Sequence, residues 1–239
     1  MMSFSLQFVL VLIGTFMIAL VLTPLVRLFS FKIDAVDYPN ARRINTKPMP
    51  SAGGLSIVIA FSIATLIFIP MLTSTTAPIK SYLSYTLPVV GAGWIIALTG
   101  LIDDVKELSA KKKMIGILLA ASLVWFLTDF RLNDFKIPFG GPLLHFEPWL
   151  SYLLTVIWIV SITNAVNLID GLDGLVSGVS IISLVTMGIV SYFFLPVPNL
   201  FLTMTIFVLV ASIAGFFPFN YHPAILYLGD TGALFIGFM

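Results

Sequence analysis

The chain has 239 residues, 59% of them hydrophobic and only 10% charged, with a mean hydropathy of +1.08. Soluble domains carry about 25% charged residues, so this composition cannot cover a water-facing surface, and the solvent for most of the chain is lipid. The net charge of +1 excludes a bulk-charge partner such as nucleic acid, and the absence of cysteine excludes disulfides and thiolate metal sites.

In chain order, apolar segments run at about 5–29, 52–70, 85–102, 114–128, 148–165, 175–195 and 200–217, with a further start at 231. The first is long enough to span, given the roughly 20 residues a helix needs, and it lacks the basic leader of a signal peptide. Pro24, Pro70 and Pro196 fall near segment ends, where a missing N–H costs least. The predicted fold is all-α: a polytopic transmembrane helix bundle of about seven complete spans plus a truncated eighth, with its N-terminus outside. It forms a single membrane-embedded domain over residues 1–239. The apolar run after Gly232 is too short to cross about 30 Å of hydrocarbon, which predicts a fragment of a longer chain.

Loop charges set the orientation. With the N-terminus outside, the inner side receives Arg27, Lys32, Arg42, Arg43, Lys47, Lys106, Lys111, Lys112 and Lys113, nine of the twelve basic residues. Lys80, Arg131 and Lys136 stay outside, a bias that fits the positive-inside rule. Eight of the eleven acids fall on the same inner side: Asp34, Asp37, Asp103, Asp104, Glu107, Asp170, Asp173 and Asp230. Acids contribute little to topology, so their clustering calls for another cause, and a shared inner site supplies one.

Four places carry the chemistry. Asp103 and Asp104 follow an apolar helix in GLIDDVKELSAKKK. An arbitrary acid pair is usually a solvated helix end, but adjacent carboxylates repel unless a cation or a metal-held phosphate lies nearby. In NAVNLIDGLDG, the groups Asn164, Asn167, Asp170 and Asp173 recur every three residues, which places them on roughly one face if the helix continues. A polar turn between spans is the plain alternative. In GDTG, Asp230 either caps the last helix or ligates a metal. The loop from Asp37 to Gly54 is basic and proline-rich and ends in a glycine pair opening a helix, a place that suits anions, although topogenic charge alone would explain its basic residues. Together these places offer carboxylates, amides and lysines, and hard oxygen donors suit magnesium or manganese.

At these motifs the chain resembles the polyprenyl-phosphate N-acetylhexosamine-1-phosphate transferases of glycosyltransferase family 4. The resemblance runs in order from DYPNARR through GLIDDVKELSAKKK and NAVNLIDGLDGL to YLGDTGALF. PMPSAGG and DDVKELSAKKK are most similar to the branch that uses UDP-N-acetylglucosamine (UDP-GlcNAc). The resemblance implies Mg2+-dependent transfer of GlcNAc-1-phosphate to undecaprenyl phosphate, with release of UMP, Mn2+ being an alternative ion. It further implies a bacterial plasma membrane, an active site on its cytoplasmic face and initiation of teichoic acid or another surface polysaccharide, with a homodimer among the partner expectations. By resemblance Asp103 and Asp104 lie beside the lipid phosphate, Asp103 accepting or orienting its proton. Asn167 and Asp230 hold the metal. Asp170, with a catalytic part in some schemes, Asp173 and Asn164 contact nucleotide or sugar, and Lys47, Lys111 and Lys113 meet phosphate or nucleotide. Two departures stand out: Asn45 occupies a place where the family often has histidine, and the family's late His/Arg-rich loop would lie beyond Met239.

The rival from another class is a membrane transporter or flippase with a cytoplasmic acidic metal site. Transporters place ionisable groups near the midplane on broken helices, whereas these acids fall at predicted helix ends on one side.

Overall fold

Apolar continuity makes the first element. Helix α1 (Phe4–Lys32) runs for 29 residues, and the hydroxyls of Thr15, Thr23 and Ser30 bond back into the helix rather than remaining unpaired in lipid. Thr15, Thr23 and Ser30 donate to the carbonyls four residues earlier at 2.7, 2.7 and 2.9 Å. The computed structural model describes residues 4–39, 45, 47–73, 79–195 and 200–239. Arg42, Arg43 and Pro196, used in the sequence reading, lie outside the described residues, as does the side chain of Lys80.

After α1, strands β1 (Val36–Asp37) and β2 (Met49–Pro50) pair antiparallel, with Val36 opposite Pro50. Helix α2 (Gly54–Ile63) passes through a π turn at Ala64–Phe68 into α3 (Ile69–Thr73). Pro70 has no N–H to return to the preceding turn, and the widened π turn directly before it accommodates that loss. Helix α4 (Ile79–Lys106) and α5 (Ala110–Leu127) are joined by a three-residue break. Strands β3 (Asp134–Lys136) and β4 (Leu143–His145) form a hairpin that the sequence reading did not foresee. Helices α6 (Pro148–Ile169), α7 (Leu175–Phe193), α8 (Leu200–Asn220) and α9 (Gly229–Phe238) complete the chain.

The fold is all-α apart from the two small hairpins, as expected for a polytopic membrane protein. Among the described residues, six helical stretches are long and apolar enough to cross a bilayer: Leu6–Lys32, Gly54–Met71, Tyr82–Lys106, Pro148–Ile169, Leu175–Phe193 and Leu200–Asn220. Helices α5 and α9 fall outside this set. Three lysines load the first turn of α5, and α9 has only 10 residues. The helix following GLDG begins at Leu175 as expected, whereas α4 and α6 run several residues beyond the predicted spans towards the acidic motifs.

Helix α9 sits at the centre, packed against α2, α4 and α6, and residues Thr231 to Gly237 are all buried. Glycine makes this possible. A Cβ on Gly54 would lie 2.1 Å from the backbone of Gly232, and one on Gly100 would lie 2.5 Å from the Asp230 carbonyl. The start of α9 is thereby wedged between α2 and α4, which puts its first turn against the end of α4. A separate apolar cavity of about 610 Å³ lies between α6, α7 and α8, lined by Trp158, Leu184, Met187, Leu209 and Phe238 among others. None of the acidic motif residues lines it.

Candidate active site

The ends of α4 and α6 and the starts of α2, α5, α7 and α9 meet at one end of the bundle. Backbone bonds fix the meeting: Gly53 N–H donates to Tyr227 O at 3.0 Å and Gly54 N–H to Leu228 O at 2.8 Å. The GDTG turn is thus strapped to the glycine pair that opens α2.

Asp104 closes the first turn of α9 from outside. Its Oδ1 accepts the N–H of Asp230 at 2.8 Å, and its Oδ2 accepts the N–H and hydroxyl of Thr231 at 3.1 and 2.6 Å. The first N–H groups of a helix have no partner within it, and α9 has no side-chain cap of its own. Asp104 fills that need. The capping role considered for Asp230 therefore belongs to Asp104, and Asp230 is left facing the site.

Asp103 points the other way. Its Oδ1 accepts the Leu108 N–H at 2.5 Å, ordering the break between α4 and α5, and its Oδ2 lies 2.5 Å from Lys113 Nζ. Lys113 also donates to Asp230 Oδ2, so one ammonium holds two carboxylates from different helices. Asn167 Nδ2 donates to Asp230 Oδ1 at 2.6 Å. These groups are partly sheltered, the Asp103, Lys113 and Asp230 side chains being 11%, 20% and 25% exposed. Asp170 stands beyond the end of α6. Burial first, and then the charge of Asp230, push its carboxyl up to about 7.

Of the residues singled out in the sequence, Asp103, Asp104, Lys113, Asn167 and Asp230 form one connected cluster, with Asp170 close enough to feel the charge of Asp230. The others go elsewhere. The i, i+3 step does not continue as one helical face: α6 stops at Ile169, and Asp170 has φ −77° and ψ 60°. Gly174 then takes a left-handed φ of +70° to start α7. The glycines on either side of Leu172-Asp173 break the period. Asp173 accordingly accepts the N–H of Ala224 at 3.0 Å and meets His222 Nδ1 at 2.9 Å, tying the start of α7 to the loop before α9. Asn164 donates to Val160 O within its own helix at 2.8 Å. Lys47 and Lys111 are exposed and join none of the described ion pairs. Asn45 bridges the carbonyls of Asp37 and Lys47 at 2.8 and 3.0 Å, a loop-closing role. Asp104, expected beside the lipid phosphate with Asp103, has both oxygens turned onto α9. Thr231 and His222 received no role from sequence. The signal for Thr231 was its place beside Asp230 at a helix start.

A cluster of four carboxylates with one ammonium is short of positive charge, which favours a further cation. Among the described residues no three acidic or histidine side chains form a complete metal cage. Magnesium characteristically binds through one or two carboxylates and takes its remaining ligands from water and phosphate. Asp230 and the amide of Asn167 are oxygen donors of that kind.

Fold and site together define a polytopic membrane protein with a charged, oxygen-rich site where its helix ends converge on one side. The chain belongs to glycosyl transferase family 4, whose model matches residues 86–239. It is 38% identical over 233 residues to a probable undecaprenyl-phosphate N-acetylglucosaminyl 1-phosphate transferase of Bacillus subtilis, covering 97% of this chain and 61% of that protein. A decaprenyl-phosphate N-acetylglucosaminephosphotransferase of Mycolicibacterium smegmatis is 33% identical across 90% of this chain and 53% of its own length. A phospho-N-acetylmuramoyl-pentapeptide-transferase of Staphylococcus saprophyticus is 34% identical, over 96% of this chain and 72% of the relative. The chain thus spans between about half and three quarters of the length of these relatives.

Proposed function

We propose that this chain is the greater part of an enzyme that transfers GlcNAc-1-phosphate from UDP-GlcNAc to undecaprenyl phosphate, releasing UMP, at the cytoplasmic face of a bacterial plasma membrane. The product is a lipid-linked sugar of the kind that begins teichoic acid or another surface polysaccharide. The observation that carries the reading is the bridge of Lys113 between Asp103 and Asp230, with Asn167 on the same carboxylate. It gathers four separate helices, α4, α5, α6 and α9, around one small charged site at the end of the bundle, where a soluble nucleotide and a lipid phosphate would meet. The names of the relatives support the choice of an N-acetylglucosamine phosphate and a polyprenyl carrier.

In the reaction a lipid phosphate oxygen attacks the β-phosphorus of the nucleotide sugar. A new P–O bond forms, the bond from that phosphorus to the bridging oxygen breaks, and its electron pair leaves on UMP. Asp230 and Asn167 would hold Mg2+, whose chemistry here is to offset the charge of the diphosphate and the departing UMP. Lys113 holds Asp103 and Asp230 together despite their like charge and offers its ammonium to phosphate. Asp103 orients the attacking phosphate, and it accepts its proton when the monoester carries one. Asp104 is a positioning residue that fixes the first turn of α9 and so aims Asp230. Asp170 lies at the rim, where Mn2+ or Mg2+ binding and nucleotide contact are both within its chemistry.

The transporter or flippase reading lacks this support, because the acids sit at helix ends on one side rather than at the midplane of broken helices. The deciding experiment measures UMP release by the full-length protein from UDP-GlcNAc and a polyprenyl phosphate, with and without Mg2+. Metal-dependent UMP formation is expected. No UMP formation by a folded, metal-loaded protein would overturn the proposal.

A further inference from the structure

The β3–β4 hairpin lies at the opposite end of the bundle from the acidic site, and the function above leaves it unused. Its register places Phe135 opposite Leu144, and Ile137 follows on the same face two residues on. The other face carries Asp134 and His145, joined at 2.5 Å, and Lys136 beside Leu143. All six strand residues are exposed. At the tip, Phe139 is fully exposed and held at a φ of +58°, between Pro138 and Gly140. An isolated two-stranded hairpin is marginal in water, so an apolar face of this kind needs a cover.

The base of the hairpin fixes where that face lies. Leu132 N–H donates to Thr155 Oγ1 at 2.9 Å, Ser151 Oγ to Asn133 Oδ1 at 3.0 Å, and Phe146 N–H to Asn133 O at 2.8 Å. Helix α6, 22 residues long, spans about 33 Å at a rise of about 1.5 Å per residue. That matches the roughly 30 Å of bilayer hydrocarbon, so with its far end at one interface its start reaches the other. An aromatic and basic girdle marks the same level. Trp125, Phe126 and Tyr152 interlock at ring-centroid distances of 4.9 to 5.8 Å, and the Arg131 guanidinium lies 4.7 Å over Trp125. Trp149, in the first turn of α6, is exposed. Such belts sit at headgroup depth.

We propose that the hairpin is a lipid-docking element: its Phe135/Ile137/Leu144 face lies on the bilayer interface opposite the active site, and Phe139 inserts among the acyl chains. The base of the hairpin is bonded to the first turns of α6, where Trp149 and Leu153 are exposed, and Lys136 and Arg131 stand where lipid phosphates would lie. The docked hairpin anchors the α5–α6 connection and holds the far end of α6 at a fixed depth. It makes no contribution to the chemistry at Asp230.

The chain has no cysteine, so single-cysteine variants can be labelled site-specifically with an environment-sensitive fluorophore. Phe139→Cys, Phe135→Cys and Lys136→Cys would be reconstituted in vesicles of phosphatidylethanolamine and phosphatidylglycerol. Labels at 139 and 135 are expected to shift to the blue, to be quenched by lipids carrying a shallow nitroxide, and to be quenched several-fold less by aqueous iodide than the label at 136. Equal iodide quenching at all three positions would overturn the proposal. So would shielding at 139 that disappears when protein is diluted into excess lipid, because that result assigns the face to a second copy of the chain. The melting transition of each variant before labelling shows that the bundle is intact, since Phe139 packs against nothing that folding requires.

Discussion

Asp104, on the last turns of α4, accepts a 2.8 Å hydrogen bond from the N–H of Asp230 across 126 positions of sequence. One carboxylate thereby satisfies the exposed start of α9 and aims a second carboxylate into the site. Asp103, the immediate neighbour of Asp104, faces the site directly. Two adjacent residues on one helix thus serve different partners, Asp104 the start of α9 and Asp103 the Leu108 N–H and Lys113.

Asp104→Ala leaves the N–H groups of Asp230 and Thr231 and the Thr231 hydroxyl without their acceptor. Removing a partner from buried polar groups costs about 1–3 kcal/mol. A lowered melting temperature is expected, with faster amide exchange in the first turn of α9. Asp104→Asn keeps one acceptor oxygen and should lose less. Equal stability of wild type and Asp104→Ala would show that the cap carries no energy.

Asp230→Asn removes the charge that Lys113 pairs with and one of the two oxygens proposed to face the metal, while leaving the Asp104 cap in place. Turnover of UDP-GlcNAc by the full-length enzyme should fall about 100-fold or more, with little change in melting temperature. Asp103→Asn should fall less, because a phosphate monoester is mostly ionised at pH 7. Near-normal UMP release by Asp230→Asn would remove the metal assignment.

Gly100→Ala tests the wedge. An added Cβ would stand 2.5 Å from the Asp230 carbonyl carbon and oxygen, and neither backbone can yield without moving α9. Overpacking of this kind costs about 1–3 kcal/mol, and here it displaces Asp230 too. Lower thermal stability together with lost activity is expected. Gly91→Ala, where an added Cβ meets nothing within 4 Å, should leave both nearly unchanged.

Asp170 gives a pH dependence with a defined sign. Its carboxyl titrates at about 7 in the fold, against a usual value of 3.8. Between those values the folded protein keeps a proton that the unfolded chain has lost, so this group makes the metal-free protein less stable as pH rises from about 4 to about 7. Above that range its contribution is constant. Asp170→Asn should flatten that part of the stability profile relative to wild type, measured by thermal unfolding in a chelating buffer. An unchanged slope would show that Asp170 is not held protonated.

The sequence alone determined the class of structure and the identity of most site residues. Long apolar runs in a weakly charged chain have one stable outcome, membrane helices, because backbone groups in lipid must bond internally. The local strings DDVKELSAKKK, NAVN and GDTG, taken with the family resemblance they carry, singled out Asp103, Lys113, Asn167 and Asp230. Only the tertiary structure decided how those groups are shared. It turned Asp104 onto α9 and took Asp173 away to His222 and Ala224. It also chose Lys113, rather than Lys111 or Lys47, as the partner of Asp103 and Asp230. The reason is physical: hydrogen-bond partners more than a hundred residues apart depend on how closely α9 can approach α2 and α4. That distance is set by Gly54 and Gly100 against the backbone of α9, a three-body fit that no single stretch of sequence encodes.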